Sequence, residues 1–192
     1  MKAVVLNEAG YDEAMLGLSR SYNKPLYDMP NVAEKLYRKD GGHNKFLESI
    51  VVWLDITAPR YWWQQIDTYR APQDGEDGFQ PTGITKQSES TMHTLLQREL
   101  SQDDFEVGIP SDLLFIINTI IAQKDWYLAK RVLPESFLQS RVVCTNYKAL
   151  RNIIKQRCTH KLPEWRQFIA QLLDQLEYQE FLEDLKPIEV NP

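Results

Sequence analysis

The chain has 192 residues, 43% of them hydrophobic and 26% charged, and a net charge of −5. That is enough apolar material for one domain with its own core. The acidic balance excludes a broad basic field for nucleic acid, so any bound anion must be held by a local cluster of Arg and Lys. No apolar run approaches the roughly eighteen residues that a membrane span needs, and the opening Val4-Val5-Leu6 is too brief for a signal peptide. A cytoplasmic protein is expected, with Cys144 and Cys158 as reduced thiols.

In chain order, residues 2–7 read as a first strand and Tyr11 to Arg20 as a short helix. Pro25 and Pro30 interrupt the next segment, Val32 to Tyr37 is a further helical turn or two, and Asp40-Gly41-Gly42 marks a turn. Glu48 to Thr57 is β-branched, aromatic and bounded by Pro59, which predicts a central strand. Arg60 to Arg70 reads as a helix with Trp62, Ile66 and Tyr69 on one face and Trp63, Asp67 and Arg70 on a neighbouring one. Residues 71–83 hold three Gly and two Pro, the composition of a mobile surface loop.

Residues 101–111 are a polar connection. Ser111 is a candidate N-cap for one long helix from Asp112 to about Val132, whose centre, Leu113 to Ile121, is apolar nearly all round and so should be buried. Leu133-Pro134 ends that helix, and Phe137 to Thr145 is a second strand. Asn146 caps a helix to Arg157 with the stripe Leu150, Ile153 and Ile154. Pro163 opens a last helix with the apolar face Trp165, Phe168, Ile169, Leu172, Leu173 and Leu176, and the tail from Lys186 frays. Mixed strands and helices in this order indicate an α/β or α+β fold.

The candidate chemistry is anionic recognition. Arg157 lies in line with the apolar stripe of its helix. It either complements the helix dipole or holds an anion or carbonyl at the mouth of the core. Arg70 offers the same two readings. The run Lys86-Gln87-Ser88-Glu89-Ser90-Thr91 is either a solvated turn or a phosphate cradle of hydroxyls and backbone N–H groups. It is not a Walker A loop, and no GxGxxG or GxSxG motif occurs. His43, His93 and His160 lack metal-ligand spacing, and no metal is assigned.

Four separated segments taken together resemble the flavin-dependent thymidylate synthase family. They are Gly42 to Ser49, Gln65 to Arg70, Lys86 to Ser90, and Leu133-Pro134 with Asn146 to Arg157 after it. Order and spacing carry the resemblance, over roughly residues 43 to 170. His43 matches the family's early His, Gln65 its helix Gln, Arg70 the last residue of its Arg-His-Arg, and Ser88 the Ser of the RHRx7S pattern. Asn146 matches the flavin-side Asn and Arg157 the Arg that grips the uracil base. The departures are Ser49 for a second His, Thr68 and Tyr69 for Arg and His, Lys86 for Glu, and Ser90 for Arg. Seventeen residues separate Arg70 from Ser88 where the family pattern has seven, as in phage-type relatives.

The resemblance implies a single domain over residues 1–185, a mostly antiparallel sheet flanked by helices, a 71–83 insertion and a 186–192 tail. It implies a homotetramer with sites between subunits. It implies FAD as cofactor, methylenetetrahydrofolate and NADPH as co-substrates, and methylation of a pyrimidine deoxynucleotide, dUMP to dTMP. Arg157 and Ser88 then stand at the chemistry. Gln65, Lys86, Ser88, Ser90, Lys130 and Arg157 hold the nucleotide, and His43, Glu48, Arg70, Asn146 and Lys148 hold the cofactor. The lost Arg-His-Arg side chains support an alternative, a catalytically degenerate nucleotide sensor or sequestering protein. A third reading is a partner-binding homo-oligomer whose aromatics mark interfaces.

Overall fold

A four-stranded antiparallel sheet in the order β1-β2-β4-β3 organises the chain. The computed structural model describes residues 1–39, 42–69 and 83–185. The expectations for Arg70, for nearly all of the 71–83 loop, for the 186–192 tail and for the turn at Asp40-Gly41 lie outside the described residues.

β1 (Lys2–Ala9) and β2 (Val51–Pro59) pair antiparallel, as do β2 and β4 (Leu138–Asn146), and β4 and β3 (Thr85–Ser88). Alternation fixes the two faces of the sheet. Val52, Leu54, Ile56 and Ala58 of β2 are fully buried, while Asp55 between them is exposed. The buried face is covered by α1 (Tyr11–Tyr22), α2 (Met29–Leu36), α3 (Arg60–Ile66), α7 (Tyr147–Arg157) and α8 (Pro163–Gln175), which share one core with it. β1 is an edge, and α8 covers it: Gln171 accepts from Ala3 N–H at 2.6 Å, and Gln175 accepts from Val5 N–H at 3.0 Å and donates to Ala3 C=O at 2.9 Å. Three of the edge strand's outward backbone groups are thereby satisfied. Gly10 opens α1 at φ 96°, and a Cβ there would lie 2.1 Å from Ser49 O, so only glycine fits.

The antiparallel sheet, the two central strands, the Asn146 cap and the apolar stripes of α7 and α8 are as the sequence indicates. Asn146 Oδ1 accepts from Ala149 N–H at 2.9 Å. Several local expectations are corrected. The strand expected from Glu48 begins at Val51, because Lys45–Glu48 is a 3₁₀ turn. The run from Lys86 to Ser88 is not a turn but the short edge strand β3, zipped to β4.

The long helix from Asp112 to Val132 is two helices, α5 (Ser111–Ala122) and α6 (Trp126–Val132). Lys124 adopts φ 60° between them, and Asp125 caps α6 by accepting from Leu128 N–H at 2.9 Å. Ser111 is already helical, and Pro110 precedes it as the cap. The centre of α5 is buried on one side only. Ile117, Ile120 and Ile121 join a second, smaller core with Leu133 and Phe137, while Phe115 and Ile116 are exposed.

Candidate functional site

Helix α3 divides the polar chemistry into two groups. With the 3₁₀ turn Asp67–Tyr69 that continues it, the helix sends Trp63, Gln64 and Asp67 to one side and Gln65 and Tyr69 to the other. The first side borders a cavity of about 290 Å³ with Arg60, Lys130 and Arg141 in its wall. The second packs against the end of α7 and the start of α8.

On the first side, Arg141 projects from the buried face of β4, opposite Ile56. Its guanidinium lies over the Trp63 ring at 4.2 Å, and the Trp63 indole donates to Gln139 C=O at 3.0 Å, which holds that platform still. Arg141 also donates to Gln139 Oε1 at 3.1 Å and faces Asp67 at 3.8 Å. Its Nε is buried with no hydrogen-bond partner among the described residues. Burial lowers the guanidinium's pKa from its ordinary value, and Asp67 opposes that shift only in part. A half-buried cation whose Nε lacks an acceptor, in the wall of a cavity, is an anion-receptive arrangement. Arg60 is anchored beside it by a bond to Leu133 C=O at 2.8 Å and an ion pair with Glu135 at 3.4 Å.

The register then brings two of the sequence's candidates to this side. Lys86 pairs with Val143 and Ser88 with Arg141 across β3 and β4, so both side chains share the face of Arg141. Lys86 forms an ion pair with Asp67, and Lys130 of α6 reaches the same cavity. Ser90 comes after β3 as the residue before α4 (Thr91–Thr94) and is exposed.

On the second side, the Trp165 indole donates to Gln65 Oε1 at 2.8 Å. Arg157 Nε donates to the Tyr69 hydroxyl at 2.9 Å, and that hydroxyl donates to Gln156 Oε1 at 2.9 Å. The Arg157 guanidinium lies 5.1 Å from the Trp165 ring and 5.5 Å from that of Tyr69. Burial raises the Tyr69 pKa, and Arg157 works against that rise. His160 Nδ1 accepts from Leu162 N–H at 3.1 Å; desolvation, then Arg157, push its pKa down, which favours a neutral ring. Gln65 and Arg157 therefore belong together, but across α3 from Lys86, Ser88 and Lys130.

The cofactor-side candidates gather at the other end of the sheet. Glu48 and Lys148 form an ion pair at 2.8 Å. Asn146 spends its carbonyl oxygen on the α7 cap. His43 is exposed and borders a cavity of about 390 Å³ with Ser21, Tyr22, Lys45, Phe46 and Ser49. Along β2 this end lies roughly 26 Å from the Pro59 end, at about 3.3 Å per residue.

Arg60, Trp63, Asp67 and Arg141 are candidate residues to which sequence reading assigns no function, and it weighs His160 only as a metal ligand. Arg141 did leave a trace, a lone cation beside the apolar run Val142-Val143-Cys144. Its role needs the strand pairing that sets Trp63 beneath it. Among the described residues no group of His, Cys, Asp and Glu is placed to hold a metal, and no helix is long and apolar enough to cross a membrane.

No family model matches the sequence, and no curated protein matches it. Solved structures do match in three dimensions, and they define a class: the chain has the fold of the flavin-dependent thymidylate synthases, as the resemblance of its motifs implied. One is thymidylate synthase X (ThyX) from Helicobacter pylori with FAD and dUMP, at TM-score 0.77 and 16% identity, covering 96% of this chain and 99% of that one. Another is the flavin-dependent thymidylate synthase ThyX from Helicobacter pylori complexed with FAD and dUMP, at TM-score 0.77 and 17% identity, covering 97% of this chain and 100% of that one.

Proposed function

We propose that this chain is a flavin-dependent enzyme that methylates a deoxyuridine nucleotide, dUMP to dTMP, with methylenetetrahydrofolate as carbon donor and NADPH as reductant. The observation that carries the reading is Arg141, a cation stacked on Trp63 with a buried Nε and, among the described residues, no partner for it, beside Arg60 and Lys130. A nucleotide phosphate supplies the missing acceptor, and charge-assisted bonds to it are the strong ones. In this reading Arg141, Arg60, Lys130 and Lys86 neutralise the phosphate, and Ser88 and Ser90 add hydroxyl contacts.

Gln65 and Arg157 serve the uracil. A cation at a ring carbonyl stabilises the negative charge that develops there when the ring carbon acts as nucleophile. Helix α3 stands between Arg141 and Arg157, which assigns the phosphate and base contacts to different sides of the helix. In this reading copies assemble with base and phosphate contacts drawn from different subunits, in keeping with the expected homotetramer.

The cavity beside His43 fits part of FAD: Phe46 and Leu18 give it an apolar floor, and His43, Lys45 and Ser49 a polar rim. His43, Glu48, Asn146, Lys148 and Arg70 are the proposed cofactor residues. Reduced FAD supplies the hydride when bound, and the protein's share is to position and to exclude water.

A specific observation favours a second reading, a catalytically degenerate nucleotide-binding protein. Tyr69 already holds Arg157. One preparation separates the two. Purified protein with a flavin spectrum that converts dUMP to dTMP on adding methylenetetrahydrofolate and NADPH supports the enzyme. Colourless protein that still binds dUMP supports the second reading, and failure to bind either ligand ends both.

A further inference from the structure

Trp165 touches both residues of the proposed base site. Its indole N–H donates to Gln65 Oε1 at 2.8 Å, and the Arg157 guanidinium lies 5.1 Å from its ring. We infer that Trp165 is a positioning residue for base selection. Its N–H turns the Gln65 amide so that only the NH2 end is left for a ligand, and the site then takes a base edged with carbonyls and refuses one that presents an amino group. The inference rests on reading Gln65 and Arg157 as the base contacts.

A glutamine amide is an acceptor at one end and a donor at the other, and a half-turn of the side chain exchanges the two. An indole N–H only donates, so only the amide oxygen satisfies it. The reversed amide would set NH2 against N–H, two donors with no acceptor between them. Trp165 is fully buried, so the unmade bond is not recovered from solvent. Nor can the indole turn away, because Trp62 and Phe168 pack on it with ring centroids 4.8 and 5.9 Å distant. Gln65 is half-buried, and its Nε2 makes no hydrogen bond to the described residues, so that donor is the end available to a ligand.

The neighbouring groups offer donors too. Arg157 spends its Nε on the Tyr69 hydroxyl, and its terminal nitrogens, which only donate, make no hydrogen bond to the described residues. The Tyr69 hydroxyl is engaged from both sides, accepting from Arg157 and donating to Gln156 Oε1. His160, its ring 6.4 Å from that of Trp165, accepts from Leu162 N–H at Nδ1 and so has its Nε2–H to offer. A uracil presents two carbonyl oxygens to such a set. Cytosine replaces one of them by an amino group, which is a donor, and isocytosine replaces the other. A site built for one hydrogen-bond pattern rejects the analogue that breaks it, because polar groups are left unpaired.

The test is calorimetric titration of the full chain, wild type and Trp165→Phe, with dUMP, dCMP and deoxyisocytidine monophosphate. All three carry the same phosphate, so their affinity ratios report the base site. The phenyl ring keeps much of the packing and deletes the N–H. The wild type is expected to prefer dUMP to both analogues. In Trp165→Phe the Gln65 amide turns freely, and the analogue whose amino group meets it should gain on dUMP by on the order of tenfold. Gln65→Glu serves as a second variant should Trp165→Phe fold poorly. It keeps an acceptor for the indole and exchanges the NH2 end for a second oxygen, so the analogue that meets it should again gain. A purely structural role for Trp165 would weaken all three ligands alike, and such unchanged ratios overturn the inference. A wild type that binds the three equally also overturns it and leaves the nucleotide reading intact. A preference for dUMP that shrinks in Trp165→Phe, in a protein that makes no dTMP, upholds the inference and removes the enzyme reading. If the wild type binds no nucleotide, both fall.

Discussion

Arg141 and Arg157 sit on opposite sides of one short helix, each against a buried tryptophan, and they are equipped differently. Arg157 has its Nε bonded to Tyr69 and two rings around it. Arg141 has a closer ring, at 4.2 Å, yet among the described residues its Nε has no partner and its ion-pair carboxylate is 3.8 Å away. The same residue type is thus part of a finished polar network on one side and an unfinished one on the other. An unfinished network in a wall of a cavity is where a ligand completes the structure. On this reading Arg141 is poised for an anion in the isolated chain, whereas Arg157 must first exchange Tyr69 for its ligand.

The largest expected effect tests the support beneath Arg157. Trp165 is fully buried, against Trp62 and Phe168. Trp165→Ala is expected to destabilise the fold by about 3–5 kcal/mol in chemical denaturation. A loss under about 1 kcal/mol would show that Trp165 is not core.

Arg141→Met is next and breaks the comparison most directly. Removing a half-buried, under-satisfied cation is expected to leave stability unchanged or raised, while phosphate affinity falls by about 1.5–3 kcal/mol, roughly ten- to a hundredfold. Arg157→Met should do the reverse for stability, losing about 1 kcal/mol with its bond to Tyr69. It should also weaken nucleotide binding; unchanged affinity would remove Arg157 from the proposed base site.

Tyr69→Phe sharpens the contrast further. It deletes the bonds to Arg157 and Gln156, with an expected loss of about 1 kcal/mol in thermal unfolding. Released from Tyr69, Arg157 should bind nucleotide no worse than in the wild type.

The smallest effect concerns a third arginine. Arg151 lies over Tyr37 at 5.0 Å and forms paired 2.5 Å bonds to Asp184. Arg151 holds the Asp184 carboxyl below its ordinary pKa. A depressed carboxyl contributes stability that is fully present above its unfolded value, about 3.9. That contribution is lost as pH falls through the folded value. Asp184→Asn should therefore flatten the acid limb of the stability profile below about pH 4 and change it little in shape near neutrality. An unaltered acid limb would mean that the pair contributes nothing.

Much of the fold was legible because periodicity reports burial. The β2 run, the Leu150-Ile153-Ile154 stripe and the face of α8 each expose one pattern to one core. The break at Lys124 was not legible, because an apolar run continues on both sides of Gln123-Lys124-Asp125. Only the cap that Asp125 makes to Leu128 reveals the second helix. The polarity of Lys86 to Ser88 concealed a strand, since an edge strand with an exposed side needs no apolar alternation.

The site was legible in part. Motif order singled out Lys86, Ser88 and Lys130, and strand register brings Lys86 and Ser88 to the side of Arg141, where Lys130 also reaches the cavity. It also singled out Gln65 and Arg157, which share the network around Trp165 and Tyr69. Arg141 and Asp67 escaped because their importance is relational. A lone Arg in a strand and an Asp near a helix end are ordinary until the pairing of β2 with β4 sets them 3.8 Å apart at the rim of a cavity.

The most direct measurement is the binding of dUMP to wild type and to Arg141→Met, both loaded with FAD, by calorimetry at one ionic strength. Tight binding by the wild type and a loss of at least about tenfold in the variant, with its melting temperature intact, is the predicted result. Equal affinity in the two proteins would contradict the claim that Arg141 is an unfinished contact waiting for a phosphate.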